Sequence, residues 1–432
     1  MSSPAELLLS PLALGALGVF VLAYVLVIAE EFTQLRKSKP VILAAGAIWT
    51  LVGIAAKGHG IDAGALLEHN LTEYAGVLLF LLAAMIYVNA LQEREVFAAL
   101  RSWMMARGLS LRAIYWLTGG MAFLLSPALD NLTTALVLGA VALSVGRGDA
   151  RFLVPACVNI VVAANAGGAF SPFGDITTLM VWQKGVLGFF EFFRLFLPAL
   201  VNWLVPALCM HFAVPQARPA PELVRSSLKP GALGIVLLFA LTIAFTVGLH
   251  QWLHLPSFLG MMTGLGALMV YSHGLRRRES RRNVTPAFDI FAIASRVEWD
   301  TLLFFYGVVL CVGGLGAFGF LSWLSQHSYA ALGPSVTNVA VGLASAIVDN
   351  IPIMFAVLTM NPEMGHGQWL LVTLTAGIGG SLLSIGSAAG VALMGQASGI
   401  YTFGAHLKWM WAVLLGYAAS IGVHFALNAA LF

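Results

Sequence analysis

Between residues 12 and 431 the chain carries a succession of long apolar segments, at about 12–29, 41–56, 74–91, 112–146, 152–184, 189–213, 231–250, 258–273, 299–321, 334–360, 368–400 and 409–431. A helix needs ~20 apolar residues to cross a bilayer, so this pattern confines the chain to a polytopic membrane protein. A soluble fold would need a charged skin. Asp, Glu, Lys and Arg make up only 9% of the 432 residues, against about a quarter in soluble domains. An apolar content of 59% excludes disorder. The three cysteines, Cys157, Cys209 and Cys311, lie in apolar stretches and read as small buried hydrophobes. The opening MSSPAELLL lacks the basic region of a cleaved signal, so the first span is expected to be retained.

Two segments are interrupted by polar residues. Segment 112–146 breaks at Pro127-Ala128-Leu129-Asp130-Asn131, and 334–360 at Asp349-Asn350-Ile351-Pro352. Each is too short to cross twice, which predicts two re-entrant hairpins with polar tips. Segments 152–184 and 368–400 are single spans broken near 167–175 and 379–387. With ten spans and two hairpins, 19 of the 22 Lys and Arg residues fall on one side. That side holds Arg36, Lys37 and Lys39, Arg94 to Arg112, Arg147 and Arg151, Arg218 to Lys229, Arg276 to Arg296, and Lys408. Lys57, Lys184 and Arg194 fall on the other. Basic loops face the cytoplasm, so both termini are expected outside. The Arg276–Arg282 run then reads as a topology determinant. Membrane lipid is the expected surrounding, with no nucleic-acid partner.

The halves echo each other. Leu78-Leu79-Phe80 matches Leu302-Leu303-Phe304, and Asp130-Asn131 matches Asp349-Asn350 at an offset of 219. Gly167-Gly168 followed by Gly174-Asp175 matches Gly379-Gly380 followed by Gly386-Ser387 at an offset of 212. Each half runs three spans, a hairpin, a broken span and a last span. Five crossings invert the second half relative to the first. The expected fold is an all-α polytopic membrane protein of two inverted repeats, each of five transmembrane helices with a re-entrant hairpin and a broken helix. Residues 1–213 form the first repeat (hairpin 112–146, break 167–175), 214–230 a cytoplasmic linker, and 231–432 the second (hairpin 334–360, break 379–387). Inverted repeats with broken helices are the architecture of secondary transporters.

A carboxylate in the bilayer interior costs at least ~2.5–3.5 kcal/mol and so usually faces a functional cavity. Asp130, Asp175, Asp300 and Asp349 are the candidates, accompanied by Asn131, Thr133, Asn350, Ser384 and Ser387. Carboxylate, amide and hydroxyl oxygens are the donors a hard cation wants, and half-helix ends add to them. Asp130 and Asp175 are the first choices to hold such a cation. Gly167, Gly168, Gly174, Gly379, Gly380 and Gly386 let the breaks approach the tips closely. The plain structural alternatives are helix capping by Asp130 and Asp349 and back-bonding by Thr133, Ser384 and Ser387. Glu73 and Glu298 read as solvated flanks, and Trp49, Trp103, Trp252, Trp409 and Trp411 as interface anchors. No Walker lysine motif, Cys/His cluster or nucleophile–base pair appears. Neither an ATP-driven pump nor an enzyme is expected, and no cofactor.

The segments SPALDNLTTALV, AANAGGAFSPFGDITTLMVW, VEWDTLLFFYGVVLCVGGLG, SAIVDNIPIMFAVL and GIGGSLLSIGSAAGVALMGQASG resemble NhaD-type sodium/proton antiporters, within the ion transporter superfamily. Relatives that carry carboxylic acids have Ser-Asn-Thr at the hairpin tips. Here both tips begin Asp-Asn, and Asp175 adds a further negative charge, which disfavours an anion. The resemblance places Asp130, Thr133, Asp175, Asp300, Thr301, Asn350, Ser384 and Ser387 at positions that support ion exchange. It implies export of Na+, often Li+, against H+ in a bacterial inner membrane, favoured at alkaline pH, with homodimers common. The other classes to separate are an anion or arsenite carrier, a channel and a membrane enzyme.

Overall fold

The structure, a computed structural model, describes residues 8–59, 62–218, 227–281 and 288–432. Its secondary structure is helical, with no strand among the described residues. The first half contains α1 (Pro11–Ile28), α2 (Ser38–His59), α3 (Ala63–Glu93), α4 (Val96–Ala106), α5 (Leu111–Leu129), α6 (Asn131–Gly146), α7 (Ala150–Gly168), α8 (Ile176–Gln183) and α9 (Phe196–His211). The second contains α10 (Ala232–Leu253), α11 (Ser257–Arg281), α12 (Trp299–Ala317), α13 (Pro334–Ala344), α14 (Asn350–Met360), α15 (His366–Gly379), α16 (Ala388–Gln396) and α17 (Met410–Leu427). Nine helices among the described residues are long and apolar enough to cross a membrane. The tenth expected span, 368–400, is divided into α15 and α16, neither long enough alone.

Local chemistry sets several ends. The Ser10 hydroxyl accepts from the Ala13 N–H at 3.1 Å and Pro11 opens α1. α3 begins well before the expected residue 74 because Asp62 caps it, accepting from the Ala65 N–H at 3.0 Å. α11 runs on to Arg281, so its basic residues occupy the last turns, where cations complement the helix dipole. Arg225, Arg282, the opening MSSPAEL and residues 219–226 of the linker lie outside the described residues.

Large apolar side chains such as Leu233, Phe245, Val270 and Trp252 are exposed, whereas Phe80, Phe123, Trp182 and Phe304 are buried. An apolar exterior around an apolar interior fits hydrocarbon as the solvent. The chain is an integral, multi-pass membrane protein. Trp49 departs from its expected interface role. α2 extends from Ser38 to His59, which puts Trp49 in mid-helix, where its indole N–H donates to the Leu310 carbonyl of α12 at 2.8 Å.

The helices pack crosswise between the halves. α2 packs on α12 as α11 packs on α3; α8 packs on α14 as α16 packs on α6; and α9 packs on α17. Hairpin helices α5 and α6 lie against each other and against α7, while α13 lies against α15. Ser126 Oγ donates to the Ala164 carbonyl at 2.6 Å, and Ser345 Oγ to the Ala376 carbonyl at 2.8 Å. These two bonds reproduce the 219 and 212 offsets of the sequence echo. Three basic residues of the richer side pair with acids. Arg94 bonds Glu279 at 2.6 Å, Arg296 bonds Glu93 at 2.7 Å and Arg276 bonds Asp289 at 3.2 Å. Lys184 pairs with Glu73.

Candidate functional site

The two helix breaks are built alike. α7 stops at Gly168, and Asp175 restarts the chain as the N-cap of α8, with extended backbone (φ −150°, ψ 150°). Its Oδ1 accepts from the Thr177 N–H at 3.0 Å. α15 stops at Gly379, and Ser387 caps α16 at φ −142°, ψ 148°, its hydroxyl accepting from the Gly390 N–H at 3.3 Å. Glycine is required by close approach. A Cβ on Gly167 would run into the Phe123 carbonyl of α5, and one on Gly379 into the Gly342 carbonyl of α13. A Cβ on Gly168 would stand 2.7 Å from the Gly174 carbonyl oxygen, one on Gly380 2.6 Å from that of Gly386, and one on Gly386 2.6 Å from that of Ser345.

Asp175 is buried and sits where the breaks meet the tips. Its Oδ2 accepts from the Asn131 amide and from the Asn350 amide, each at 2.9 Å. Asn131 begins α6 at the first tip, and Asn350 begins α14 at the second. The Asn131 amide also donates to Asn165 Oδ1 at 3.0 Å. Asn165 in turn donates to the hydroxyls of Ser381 at 2.7 Å and Ser387 at 3.0 Å. One continuous polar chain thus joins both tips and both breaks, inside a region otherwise packed with Ala, Gly and Phe. Charge-assisted bonds of this kind hold a buried carboxylate in place.

Asp130 sits at the first tip with φ 64° and ψ 161°, a conformation that side chains other than glycine rarely adopt. Among the described residues its carboxylate bonds within its own turn, accepting from the Thr133 N–H at 2.8 Å and the Thr133 hydroxyl at 3.0 Å. Asp130 and Asp175 line one cavity of about 50 Å3, together with Asn131, Asn350, Thr301 and Lys37. That is room for a few water-sized occupants. Asp130 and Thr133 also line a cavity of about 410 Å3 with Gln92, Arg101 and Glu298. The Glu298 flank therefore shares a cavity with Asp130. Glu73 lies elsewhere, in a cavity of about 200 Å3 with Lys184 and His250.

The remaining acids are occupied. Ser38 donates its hydroxyl to Asp300. Lys37 Nζ stands 3.2 Å from Asp349 Oδ2, while Asp349 Oδ1 accepts from the Ile351 N–H at 3.3 Å. The structure therefore brings Asn131, Asp175, Asn350 and Ser387 into one network. Asp130, Thr133 and Thr301 line the adjoining cavities, and Asp300 and Asp349 are turned toward the start of α2. The Ser384 hydroxyl is buried without a hydrogen-bond partner among the described residues, as is that of Thr177. Among the described residues no three His, Cys, Asp or Glu side chains cluster as a metal site. An ion held here would instead draw on mixed carboxylate, amide and hydroxyl oxygens.

Sequence reasoning did not single out Asn165, Ser381, Lys37 and Ser38. Asn165 carried a signal, being a lone amide in the apolar run Ala163-Ala164-Asn165-Ala166, two residues before the glycine pair. Lys37 carried none, because it lies between Arg36 and Lys39 in a cluster that reads as topology.

Residues 24–377 match the family described as citrate transporter. The chain is 53% identical to the Na(+)/H(+) antiporter NhaD of Alkalimonas amylolytica, over 100% of this chain and 94% of that protein. It is 53% identical to the Na(+)/H(+) antiporter NhaD of Vibrio cholerae, over 97% and 92%. Sodium/proton antiporter 1 of Arabidopsis thaliana is 32% identical over 95% of this chain and 72% of that protein. On this match the chain belongs to the citrate-transporter family and, within it, to the NhaD-type Na+/H+ antiporters.

Proposed function

We propose that this chain is a secondary active antiporter of the bacterial inner membrane that exports Na+, and also Li+, in exchange for H+. The observation that supports this most is Asp175, a buried carboxylate gripped by an amide from each hairpin tip. The names of relatives at 53% identity agree with it. Asp175 and Asp130 are the exchanging pair, and a cation or a proton neutralises them in turn. A neutralised site can change sides, whereas a bare charge is costly to carry through a low-dielectric interior. Coupling follows because one set of carboxylates serves both cargoes. Thr133, Thr301, Asn350, Ser384 and Ser387 supply neutral oxygens. No cofactor or catalytic chemistry is needed.

The arrangement is read as two inverted repeats, 1–213 and 231–432, joined by the cytoplasmic linker 214–230. The crosswise packing of breaks on hairpins is what a two-fold axis between such repeats would produce. With the basic side cytoplasmic, Asp130 faces the cavity lined by Arg101 and Glu298. This is the state that loads Na+ from inside and releases H+ there. Labelling of a cysteine beside Arg276 by an impermeant reagent, applied to intact cells from outside, would overturn this orientation.

The family description makes citrate the second reading. A tricarboxylate needs cationic partners. Among the described residues lining the central cavity the cationic side chain is Lys37, which Asp349 already holds. The test uses purified protein in liposomes with a trapped pH dye and an imposed pH gradient. Adding Na+ or Li+ should collapse the gradient, and citrate should not. Citrate uptake without Na+-driven proton movement would reverse the assignment.

A further inference from the structure

We propose that Lys37 is a resident cation of the transport cavity, occupying Asp349 so that a transported ion cannot, and thereby setting the charge that Asp130 and Asp175 present. The inference rests on the antiport reading above and makes Lys37 a positioning residue that acts through Asp349.

The placement of Lys37 differs from that of its basic neighbours. Its side chain is only 16% exposed, and its Nζ lies 3.2 Å from Asp349 Oδ2 and 4.4 Å from the centre of the Phe304 ring. An aromatic face and a carboxylate together make a fitted seat for an ammonium. A lysine serving only as a topology marker would leave its charge in water.

Lys37 also stands at a junction. It lines the central cavity that holds Asp130 and Asp175. It lines as well a cavity of about 530 Å3 bounded by Tyr24, Glu30, Asp349 and Tyr401. Next to it, the Ser38 hydroxyl donates to Asp300. One dipeptide at the start of α2 therefore engages both candidate site acids of the second half, Asp349 and Asp300. Without it, a cation entering the larger cavity would meet Asp349 bare, a second anionic stop beside the exchanging pair. With it, the ammonium supplies that neutralisation permanently and never leaves.

The consequence is a signature with opposite signs. Lys37→Gln exposes an extra negative charge and should lower the KM for Na+, slowing release. Asp349→Asn keeps the helix cap but frees a positive charge beside the cavity, and should raise the KM. Each shift should be at least about threefold for a unit charge in this setting. The double variant restores the charge and should return to near the wild-type KM, as should Lys37→Arg. The assay is Na+-driven dequenching of a trapped pH dye in proteoliposomes, with KM and kcat extracted separately and thermal unfolding of each variant measured in detergent. Should Lys37→Gln fail to insert, Asp349→Asn against the double variant carries the same contrast. Unchanged KM throughout would show that Lys37 is only a basic flank. Shifts of one sign with no recovery in the double variant would show a purely structural tie. Either result overturns the inference. Absence of Na+-driven proton movement in the wild type would overturn the antiport reading and the inference with it.

Discussion

The two hairpin tips begin with the same dipeptide but use their aspartates differently. At the second tip Asp349 has relaxed backbone (φ −41°, ψ 141°), and its carboxylate meets Lys37. At the first tip Asp130 holds φ 64°, and its carboxylate leans on its own Thr133 and faces two cavities. The asparagines that follow do the same thing, each donating to Asp175. The two tips thus share the amide role and differ in the carboxylate: Asp349 is paired with Lys37 within the fold, whereas the proposed antiport assigns Asp130 to the cargo.

The largest effect is expected where both tips converge. Asp175→Asn keeps size and one oxygen but cannot bind a proton at working pH or attract a cation as a full charge. A unit charge at ~4 Å is worth about 4 kcal/mol in a partly screened site. Liposome exchange should fall by at least about a hundredfold. Undiminished exchange would remove Asp175 from the mechanism and leave the two tips without a common purpose.

The next largest effects separate the two tips. Asp130→Asn should abolish most exchange, whereas Asp349→Asn should mainly move the KM. Asp130→Gly adds a separate readout. Glycine accepts the φ 64° conformation without the roughly 1–3 kcal/mol that a side chain pays there. The variant should lose exchange yet unfold at a temperature no lower than wild type, as followed by thermal unfolding in detergent. Equal kinetic effects at Asp130 and Asp349 would erase the distinction drawn here.

The smallest expected differences lie between the breaks, because they are built alike. Gly168→Val and Gly380→Val each drive a side chain into a carbonyl, at Gly174 and Gly386. Overpacking costs typically about 1–3 kcal/mol. Both should slow exchange by roughly ten- to a hundredfold, to similar extents, at comparable membrane levels on blots. A strong defect in one alone would mean that the breaks are not equivalent in use.

The sequence made the tips and breaks readable because acids and paired glycines inside apolar runs are expensive unless they serve a site. Asp130, Asp175, Asn131, Asn350 and Ser387 all carried that signal. Asn165 and Ser381 are single small polar residues whose spacing suits helix packing equally well, and only the three-dimensional meeting of the halves links them. Lys37 was masked by its basic neighbours, because charge counting treats a cluster as one unit. Trp49 lies mid-span by either boundary, and what hydropathy could not supply was its partner, the Leu310 carbonyl of a helix distant in sequence.

The backbone at Asp130 bears on how readily the protein changes state. A conformation that carries roughly 1–3 kcal/mol of strain is lowered less deeply than its contacts alone would make it. Any rearrangement that lets this residue relax recovers that energy, equivalent to about a 5- to 150-fold change in population. A change of face that let Asp130 relax would therefore release a compressed spring, and ion binding would have that much less to supply in carrying the transporter from one side of the membrane to the other.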